Sequence, residues 1–274
     1  GWCFPVIVND LQRFYDSLAN GKSAEELSED ISRETDEQTS YAQYVKWIKT
    51  QNTDNVTEYW KNLLADSSFA HIYCKEKKDN TKNENIVTFT VPLTEELSRS
   101  VELFAKKNRV SNNTVFESAF GAAIQKYSDS NEIVFDKVIS GRSIPLRNIE
   151  KTAGLFINTV PVRISVDGDD MFADLLREIQ DQTVSANENG IIPLSEIYRT
   201  CEIDSKAIDA LFVFENYYTG DGSEIENGPL APELISFEEQ TEFSLTVTIL
   251  NGKNGYAVRM SYAREMYTER EMTA

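Results

Sequence analysis

Histidine is almost missing from this sequence, since the 274 residues include only one, His71. Zinc sites are built largely from histidine and cysteine ligands, so a His-rich metal site is excluded and a mixed Cys/His site is nearly so. Histidine is also the side chain whose charge changes near neutral pH. Any histidine-dependent acid–base chemistry must therefore use His71 or a residue outside this chain. Because His71 lies between a helical segment and a charged run, we expect a surface or linker histidine.

Cysteine is scarce as well, with three residues at widely separated positions, Cys3, Cys74 and Cys201. An odd number without a C-x-x-C pair argues against a disulfide framework and fits a reducing compartment, so we predict a cytoplasmic protein. The proximity of His71 and Cys74 in sequence does not establish a nucleophile–base pair. The first residues do not show a basic-then-apolar leader pattern, and no window holds the roughly 18 apolar residues of a membrane span.

Positive charge is also low, with 27 Lys and Arg against 45 Asp and Glu and a net charge of −18. A nucleic-acid groove or an anionic membrane surface needs clustered Lys and Arg, so we expect neither nucleic acid nor membrane as a partner. The 41% hydrophobic and 26% charged residues are typical of a globular chain. The length predicts one large or two modest domains.

The sequence does contain alternating helical and strand periods, which predict an α/β fold with a mixed sheet flanked by helices. The polar and acidic segment 21–40 is predicted to be a linker. Thr114 and Glu117 have the spacing of a capping box. Helices are predicted at residues 4–18, 41–65, 92–104, 114–127 and 171–186. Strands are predicted at residues 86–91, 133–139, 156–166, 211–214, 233–238, 243–250 and 256–262.

Short motifs that often carry chemistry are weak in this chain. Residues 167–170 (DGDD) resemble the start of a calcium loop but lack the glutamate that closes an EF-hand. Residues 220–222 (GDG) form a turn pattern without a phosphate-binding motif, and no serine lies in a G-x-S-x-G context. Residue by residue, the sequence indicates an α/β protein and no particular reaction.

Five longer segments match a known pattern in both order and spacing. They are residues 41–47 (YAQYVKW), 138–142 (VISGR), 153–163 (AGLFINTVPVR), 189–196 (NGIIPLSE) and 211–216 (LFVFEN). Together they resemble the condensation domains of nonribosomal peptide synthetases, which have a chloramphenicol acetyltransferase-like fold. The third segment is the most specific match, to G-x-F-[VI]-N-T-x-x-x-R. The first has glutamine where aspartate is usual, and the fourth has diverged.

The first residues are informative for this resemblance. The family's active-site motif is H-H-x-x-x-D-G, commonly followed by Trp and Ser, and Gly1, Trp2 and Cys3 resemble its last glycine and the two residues after it. The catalytic histidine would then precede Gly1, so we expect a fragment that is inactive alone. The implied organisation is a helix remaining from the N-terminal lobe (1–20), the acidic linker (21–40) and the C-terminal lobe (41–274).

The resemblance implies that two carrier-bound substrates are joined by an amide bond. The domain itself would bind no cofactor, because the phosphopantetheine arms belong to peptidyl or aminoacyl carrier domains. An adenylation domain of the same synthetase would be a further partner, and Trp2 after Gly1 favours a domain that joins two L-residues. The alternative is a non-catalytic relative that docks carrier proteins. The residues encoded before Gly1 would distinguish the two.

Three polar residues are predicted to face the substrate tunnel that the resemblance implies. Ser140 and Arg142 follow a predicted strand, and Asn158 interrupts an apolar one. The alternative for Asn158 is a structural amide bonded to nearby backbone, because a buried amide without partners is costly. For Arg142 and Arg163, the alternative to a substrate contact is an ion pair with a local carboxylate.

Overall fold

The computed structural model describes residues 3–37, 39–67, 69, 85–128, 130–165, 172–215, 241–252 and 255–273. Gly1, Trp2, His71 and Cys74 lie outside these residues, as do the predicted strand 233–238 and the turns at 167–170 and 220–222. The chain divides into two compact units. The smaller unit comprises Gly1–Asn52, Ser140–Ile157 and Tyr217–Glu239. The larger unit comprises Thr53–Ile139, Asn158–Asn216 and Gln240–Ala274.

A six-stranded sheet in the order β1-β6-β5-β4-β2-β3 forms the centre of the larger unit. Strand β4 runs parallel to its neighbours β2 and β5, and the other pairs are antiparallel, so the predicted mixed sheet is confirmed. The strands are β1 (Ile86–Pro92), β2 (Glu132–Ile139), β3 (Asn158–Ser165), β4 (Ala210–Glu215), β5 (Leu245–Gly252) and β6 (Gly255–Ala263).

Helices account for most of the remaining described residues. The smaller unit contains α1 (Phe4–Ala19), α2 (Ala24–Glu37) and α3 (Tyr41–Lys49). The larger unit contains α4 (Asp54–Leu63), α5 (Glu95–Asn108), α6 (Asn112–Ser128), α7 (Phe172–Asn189), α8 (Leu194–Thr200) and α9 (Glu269–Thr273). Within the described part of the chain, none of these helices has the length and apolar character needed to cross a membrane.

The predicted acidic linker at 21–40 is wrong in its local structure, because it contains helix α2. Ser23 and Glu26 form a capping box: the Ser23 amide donates to Glu26 Oε2 at 2.9 Å, and the Glu26 amide donates to Ser23 Oγ at 3.1 Å. An ion pair between Arg13 of α1 and Glu34 of α2, at 2.6 Å, links the two helices. High polarity thus reflects a solvated helix face rather than an irregular connection.

The predicted capping box at Thr114 and Glu117 is also wrong. Helix α6 begins two residues earlier, and the Thr114 amide donates to Ser111 Oγ at 3.1 Å, so Ser111 is the residue that caps it. Glu117 is buried inside the helix instead, and its Oε1 receives a hydrogen bond from Lys137 Nζ of β2 at 2.8 Å. Lys137 Nζ also donates to Thr183 Oγ1 of α7 at 2.7 Å.

Hydrophobic packing covers both faces of the sheet. Successive side chains of a strand point to opposite faces. Accordingly, Phe135 of β2 packs with residues of α6 and α7, and its neighbour Val134 packs with residues of α4 and α8. Trp60 of α4 is fully buried in the second of these clusters. In the smaller unit, Tyr44 and Phe156 form part of a separate apolar cluster.

The buried pair Lys137–Glu117 generates a stability prediction, because its side chains are only 3% and 0% exposed. Lys137→Met should lower the free energy of unfolding by about 3–5 kcal/mol, since it leaves the Glu117 carboxylate buried without its cation. The double variant Lys137→Met/Glu117→Leu should lose less than the single one. Urea denaturation of the three proteins measures this.

A surface pair supplies the control for this experiment. Arg33 and Glu29 of α2 lie 3.4 Å apart with both side chains exposed, so Arg33→Met should change stability by less than about 0.5 kcal/mol. A double variant as unstable as Lys137→Met, or a single variant as stable as Arg33→Met, would contradict the prediction.

Candidate functional site

Ser140 and Arg142, two of the predicted tunnel residues, lie in the smaller unit in a tight bend of the segment Ser140–Ile157. Ser140 Oγ accepts a hydrogen bond from the Arg142 amide at 3.3 Å. Gly141 between them has φ +64°, and a Cβ there would lie 1.8 Å from the carbonyl oxygen of Phe156. Only glycine fits this conformation and this contact, so the glycine of the 138–142 segment has a structural explanation.

The side chain of Arg142 is held by its own segment. Its guanidinium carbon lies 4.3 Å from the centre of the Phe156 ring, a cation–π contact, and its Nη1 donates to the carbonyl oxygen of Ile149. Burial lowers its pKa from the ordinary value. Within the described part of the chain, no carboxylate forms an ion pair with Arg142. The charge of Glu150 raises the pKa of Arg142 against the effect of burial, so the choice between a local carboxylate and a substrate contact stays a prediction for this arginine.

The segment around Gly154 brings together two stretches that are far apart in sequence. Cys3 Sγ donates to the carbonyl oxygen of Gly154 at 3.0 Å and accepts from its amide at 3.2 Å. The hydroxyl of Tyr41 donates to the carbonyl oxygen of Leu155 at 3.2 Å, and its ring packs edge-on against Phe156. The segment 41–47 and the first part of the segment 153–163, up to Ile157, are thus neighbours in this unit although they were matched separately in the sequence.

Asn158, the third predicted residue, lies in the larger unit at the start of β3. Its Nδ2 donates to the carbonyl oxygens of Gly190 at 3.0 Å and Ile192 at 2.6 Å, and its Oδ1 accepts from the Thr159 amide at 2.9 Å. Both amide hydrogens are therefore engaged by backbone. This geometry is that of the structural amide which the sequence left as an alternative to a substrate contact.

The turn between α7 and α8 is the part of the chain that Asn158 binds. A third carbonyl oxygen of this turn, that of Asn189, accepts a hydrogen bond from Trp60 Nε1 at 3.0 Å. Gly190 is required here because a Cβ would lie 2.2 Å from Ile139 Cδ1 and 2.7 Å from the carbonyl oxygen of Ala186. The diverged segment 189–196 is thus fixed by α4, β2 and β3.

Arg163, in contrast to Arg142, has the local partners that the sequence proposed as an alternative. Its Nε lies 2.9 Å from Glu132 Oε1 on the neighbouring strand β2. Its Nη1 donates to the carbonyl oxygens of Leu63 and Ala65, each at 3.0 Å. Arg163 therefore ties the end of α4 to the edge of the sheet.

A buried carboxyl group, Asp136 of β2, was missed in the sequence. It is fully buried and receives a hydrogen bond from the hydroxyl of Tyr198 on α8. Burial raises the pKa of Asp136 to about 7, and the bond from Tyr198 acts in the opposite direction. Burial and the neighbouring Asp136 raise the pKa of Tyr198. An aspartate at an apolar strand position (IVFDKVI) was the available signal, since such a residue must be paired or protonated.

No group of three or more His, Cys, Asp or Glu side chains suited to a metal ion occurs among the described residues. Cys3 and Cys201, the two described cysteines, are both free thiols.

Comparison with known proteins assigns a family to this arrangement. The family model described as Condensation domain matches residues 1–274. Gramicidin S synthase 2 of Brevibacillus brevis is 30% identical over 278 residues, covering 97% of this chain and 6% of the relative. Bacitracin synthase 3 of Bacillus licheniformis is 28% identical over 250 residues, covering 90% of this chain and 4% of the relative. The chain thus spans only a small part of the length of these relatives.

Solved structures share the fold. The first condensation domain of the calcium-dependent antibiotic synthetase, in complex with substrate analogue 2a, matches with a TM-score of 0.73 at 14% identity, covering 100% of this chain and 60% of that one. The SgcC5 protein from Streptomyces globisporus matches with a TM-score of 0.72 at 15% identity, covering 100% of this chain and 63% of that one. The predicted chloramphenicol acetyltransferase-like fold is confirmed.

The α7–α8 turn generates a prediction about Asn158. Asn158→Ala should lower the free energy of unfolding by about 2–4 kcal/mol, because two buried carbonyl oxygens lose their donor. Trp60→Phe removes one donor and replaces the buried indole with a smaller ring, so it should cost at least about 1–2 kcal/mol. Both variants should speed amide hydrogen exchange in residues 189–192.

Asn187→Ala is the matched control for these two variants. Its Nδ2 donates only within α7, to the carbonyl oxygen of Thr183 at 2.9 Å, so its loss should leave exchange in the turn unchanged. Unchanged exchange in Asn158→Ala would contradict the role assigned to this amide.

Asp136 generates a pH prediction. The pKa is raised from 3.8 to about 7, so the folded protein holds this proton more tightly than the unfolded chain does. The stabilising contribution is present below about pH 4 and is lost as the pH rises through about 7, a change of about 4 kcal/mol. The stability of the wild type relative to Asp136→Asn should fall over this range, as measured by urea denaturation.

Tyr198→Phe tests the cause of this pH dependence. The variant removes the hydrogen bond that lowers the pKa of Asp136, so the fall in stability should still begin at about pH 4 but continue to higher pH. A difference between wild type and Asp136→Asn that does not change between pH 4 and 8 would contradict the prediction.

Proposed function

Because the chain belongs to the condensation-domain family of nonribosomal peptide synthetases, we propose that it takes part in peptide bond formation within such a synthetase. The observation that carries the proposal is the match of one family model to residues 1–274. The fold of the solved condensation domain supports it. Since the chain spans only a small part of the matched synthases, the activity of the whole protein is part of the proposal.

The proposed reaction joins a donor thioester to an acceptor amine. The amine nitrogen attacks the carbonyl carbon of the donor, the new C–N bond forms, and the C–S bond breaks. The donor sulfur leaves as a thiolate on its phosphopantetheine arm and takes up the proton that the amine gives up. The histidine of an upstream H-H-x-x-x-D-G motif would act as base or positioning group. Holding both reactants in line would supply much of the rate increase.

The proposed partners are the carrier domains that present both substrates, together with an adenylation domain of the same synthetase. Phosphopantetheine belongs to the carriers in this proposal, and the domain holds no cofactor of its own. We propose a cytoplasmic location and the joining of two L-residues, the latter on the strength of Trp2 after Gly1.

Ser140 and Arg142 are proposed to line the substrate tunnel. The tight bend at Gly141 and the cation–π contact with Phe156 support this role, because both would hold a tunnel wall in a single conformation. For Asn158 we propose an indirect role, since its bonds to Gly190 and Ile192 would fix the turn that supports such a wall.

The exposed face of α1 supports the proposed assignment of residues 1–20 to the other lobe of the domain. Ile7, Leu11 and Leu18 recur at helical spacing and are 56%, 59% and 47% exposed. Apolar residues aligned in this way are suited to packing against further chain rather than against water.

The proposed function is tested by an amide-forming assay. A parent module that includes the upstream motif should condense two carrier-loaded aminoacyl groups, and replacing its second motif histidine by alanine should slow the reaction at least a hundredfold. The 274-residue chain alone should form no product. Product formation is followed by mass spectrometry of the carriers.

Two outcomes would change the assignment. Turnover by the 274-residue chain alone would show that the upstream histidine is not needed. A parent module that binds loaded carriers but forms no amide would favour the non-catalytic docking module.

A further inference from the structure

The thiol of Cys3 binds both polar atoms of one distant residue's backbone. It donates to the carbonyl oxygen of Gly154 at 3.0 Å and accepts from the Gly154 amide at 3.2 Å, across 151 positions of sequence. Arg142 Nη2 lies 4.0 Å from the same sulfur atom. We call this pair of bonds the Cys3 latch. Two bonds to one residue fix both the position and the orientation of the thiol.

The backbone of Cys3 explains why its side chain is free to make these bonds. Cys3 precedes α1, and its carbonyl oxygen accepts from the Ile7 amide at 3.0 Å, as expected for an N-cap residue. Its φ and ψ of −84° and −19° are helical, whereas a side chain that caps a helix needs an extended backbone. The Cys3 side chain makes no capping bond to α1 and extends to Gly154 instead.

The backbone of Gly154 is itself a fixed point in the smaller unit. Thr152 lies two residues before Gly154, and its Oγ1 donates to the carbonyl oxygen of Thr39 at 2.6 Å. Tyr41 donates to the carbonyl oxygen of Leu155, and Phe156 lies under the Arg142 guanidinium. The latch therefore joins the beginning of α1 to a segment with several restraints of its own.

We propose that Cys3 is a positioning residue for the condensation reaction, acting through the backbone of Gly154. The inference rests on the proposed function, because Gly1 and Trp2, immediately before Cys3, resemble the end of the H-H-x-x-x-D-G motif. Cys3 is the second residue after the glycine of that motif, so an anchor at Cys3 fixes the point at which the chain leaves the motif that carries the reacting histidine. Displacements of about 1 Å are enough to slow a positioned reaction severely.

Single-turnover kinetics of the parent module tests the proposal. Cys3→Ala removes both bonds and should lower the maximal rate of amide formation about tenfold. The acceptor-carrier concentration that gives half the maximal rate should change less than twofold, because the Cys3 thiol is engaged by its two bonds to the Gly154 backbone. Cys3→Ser keeps a donor and an acceptor at the same backbone position, so it should stay within threefold of the wild-type rate.

Two control variants separate positioning from general destabilisation. Cys201→Ala removes the other described cysteine, which packs beside α8 in the larger unit, and should keep the wild-type rate. Arg13→Ala breaks the α1–α2 ion pair with Glu34 without touching the latch. It should keep the rate within twofold even where its thermal midpoint falls as far as that of Cys3→Ala.

Three results would contradict the positioning role of Cys3. They are a Cys3→Ala rate within twofold of wild type, a Cys3→Ser rate as low as that of Cys3→Ala, and a loss of rate in Arg13→Ala equal to that in Cys3→Ala. A failure of the proposed function would give a different result in the same assay. If the wild-type module forms no amide, both proposals fall. If the wild type and Cys3→Ala condense equally well, the proposed function stands and only the positioning role of Cys3 is contradicted.

Discussion

Lys137 extends from β2 into the core of the larger unit, where its ammonium group binds Glu117 of α6 and Thr183 of α7. Charges buried this deeply are tolerated only when they are paired, so α6 and α7 are constrained to one depth and one rotation on this face of the sheet. The apolar contacts around Phe135 are then made in that arrangement. The positions of β2, α6 and α7 thus all depend on pairing the buried ammonium group of Lys137.

On the other face of the sheet, β2 buries a second ionisable side chain that is stabilised in a different way. Asp136, next to Lys137, has a hydroxyl as its partner rather than a cation. Because its pKa is raised, the folded protein is more stable when this carboxyl group keeps its proton. Successive residues of one strand therefore meet the cost of burial in two ways, by pairing and by protonation. This contrast follows from the elements that cover each face, since α8 presents a tyrosine where α6 presents a glutamate.

The segments by which the chain resembles its family have mainly structural explanations in the described residues. Gly141 is required by a positive φ and a close carbonyl oxygen, and Gly190 by the crowding of Ile139 and Ala186. Asn158 binds the backbone of the turn that contains Gly190. Such segments hold backbone in an unusual path, which is the condition for placing reacting groups nearby. The Cys3 latch extends the same principle to the first described residue.

The hydrophobic periods by themselves determined most of the helices and strands, because the period of a buried face is a local property of the chain. They failed at α2, where a solvated helix resembles a linker, and at Glu117, where a capping pattern occurred inside a helix. Only the tertiary structure decided which polar groups meet. The partners of Asn158, Asp136 and Cys3 lie 32, 62 and 151 positions away, and no local pattern encodes such a distance. Sequence periodicity specifies which face is buried, whereas the fold selects the group that each buried polar atom must bind.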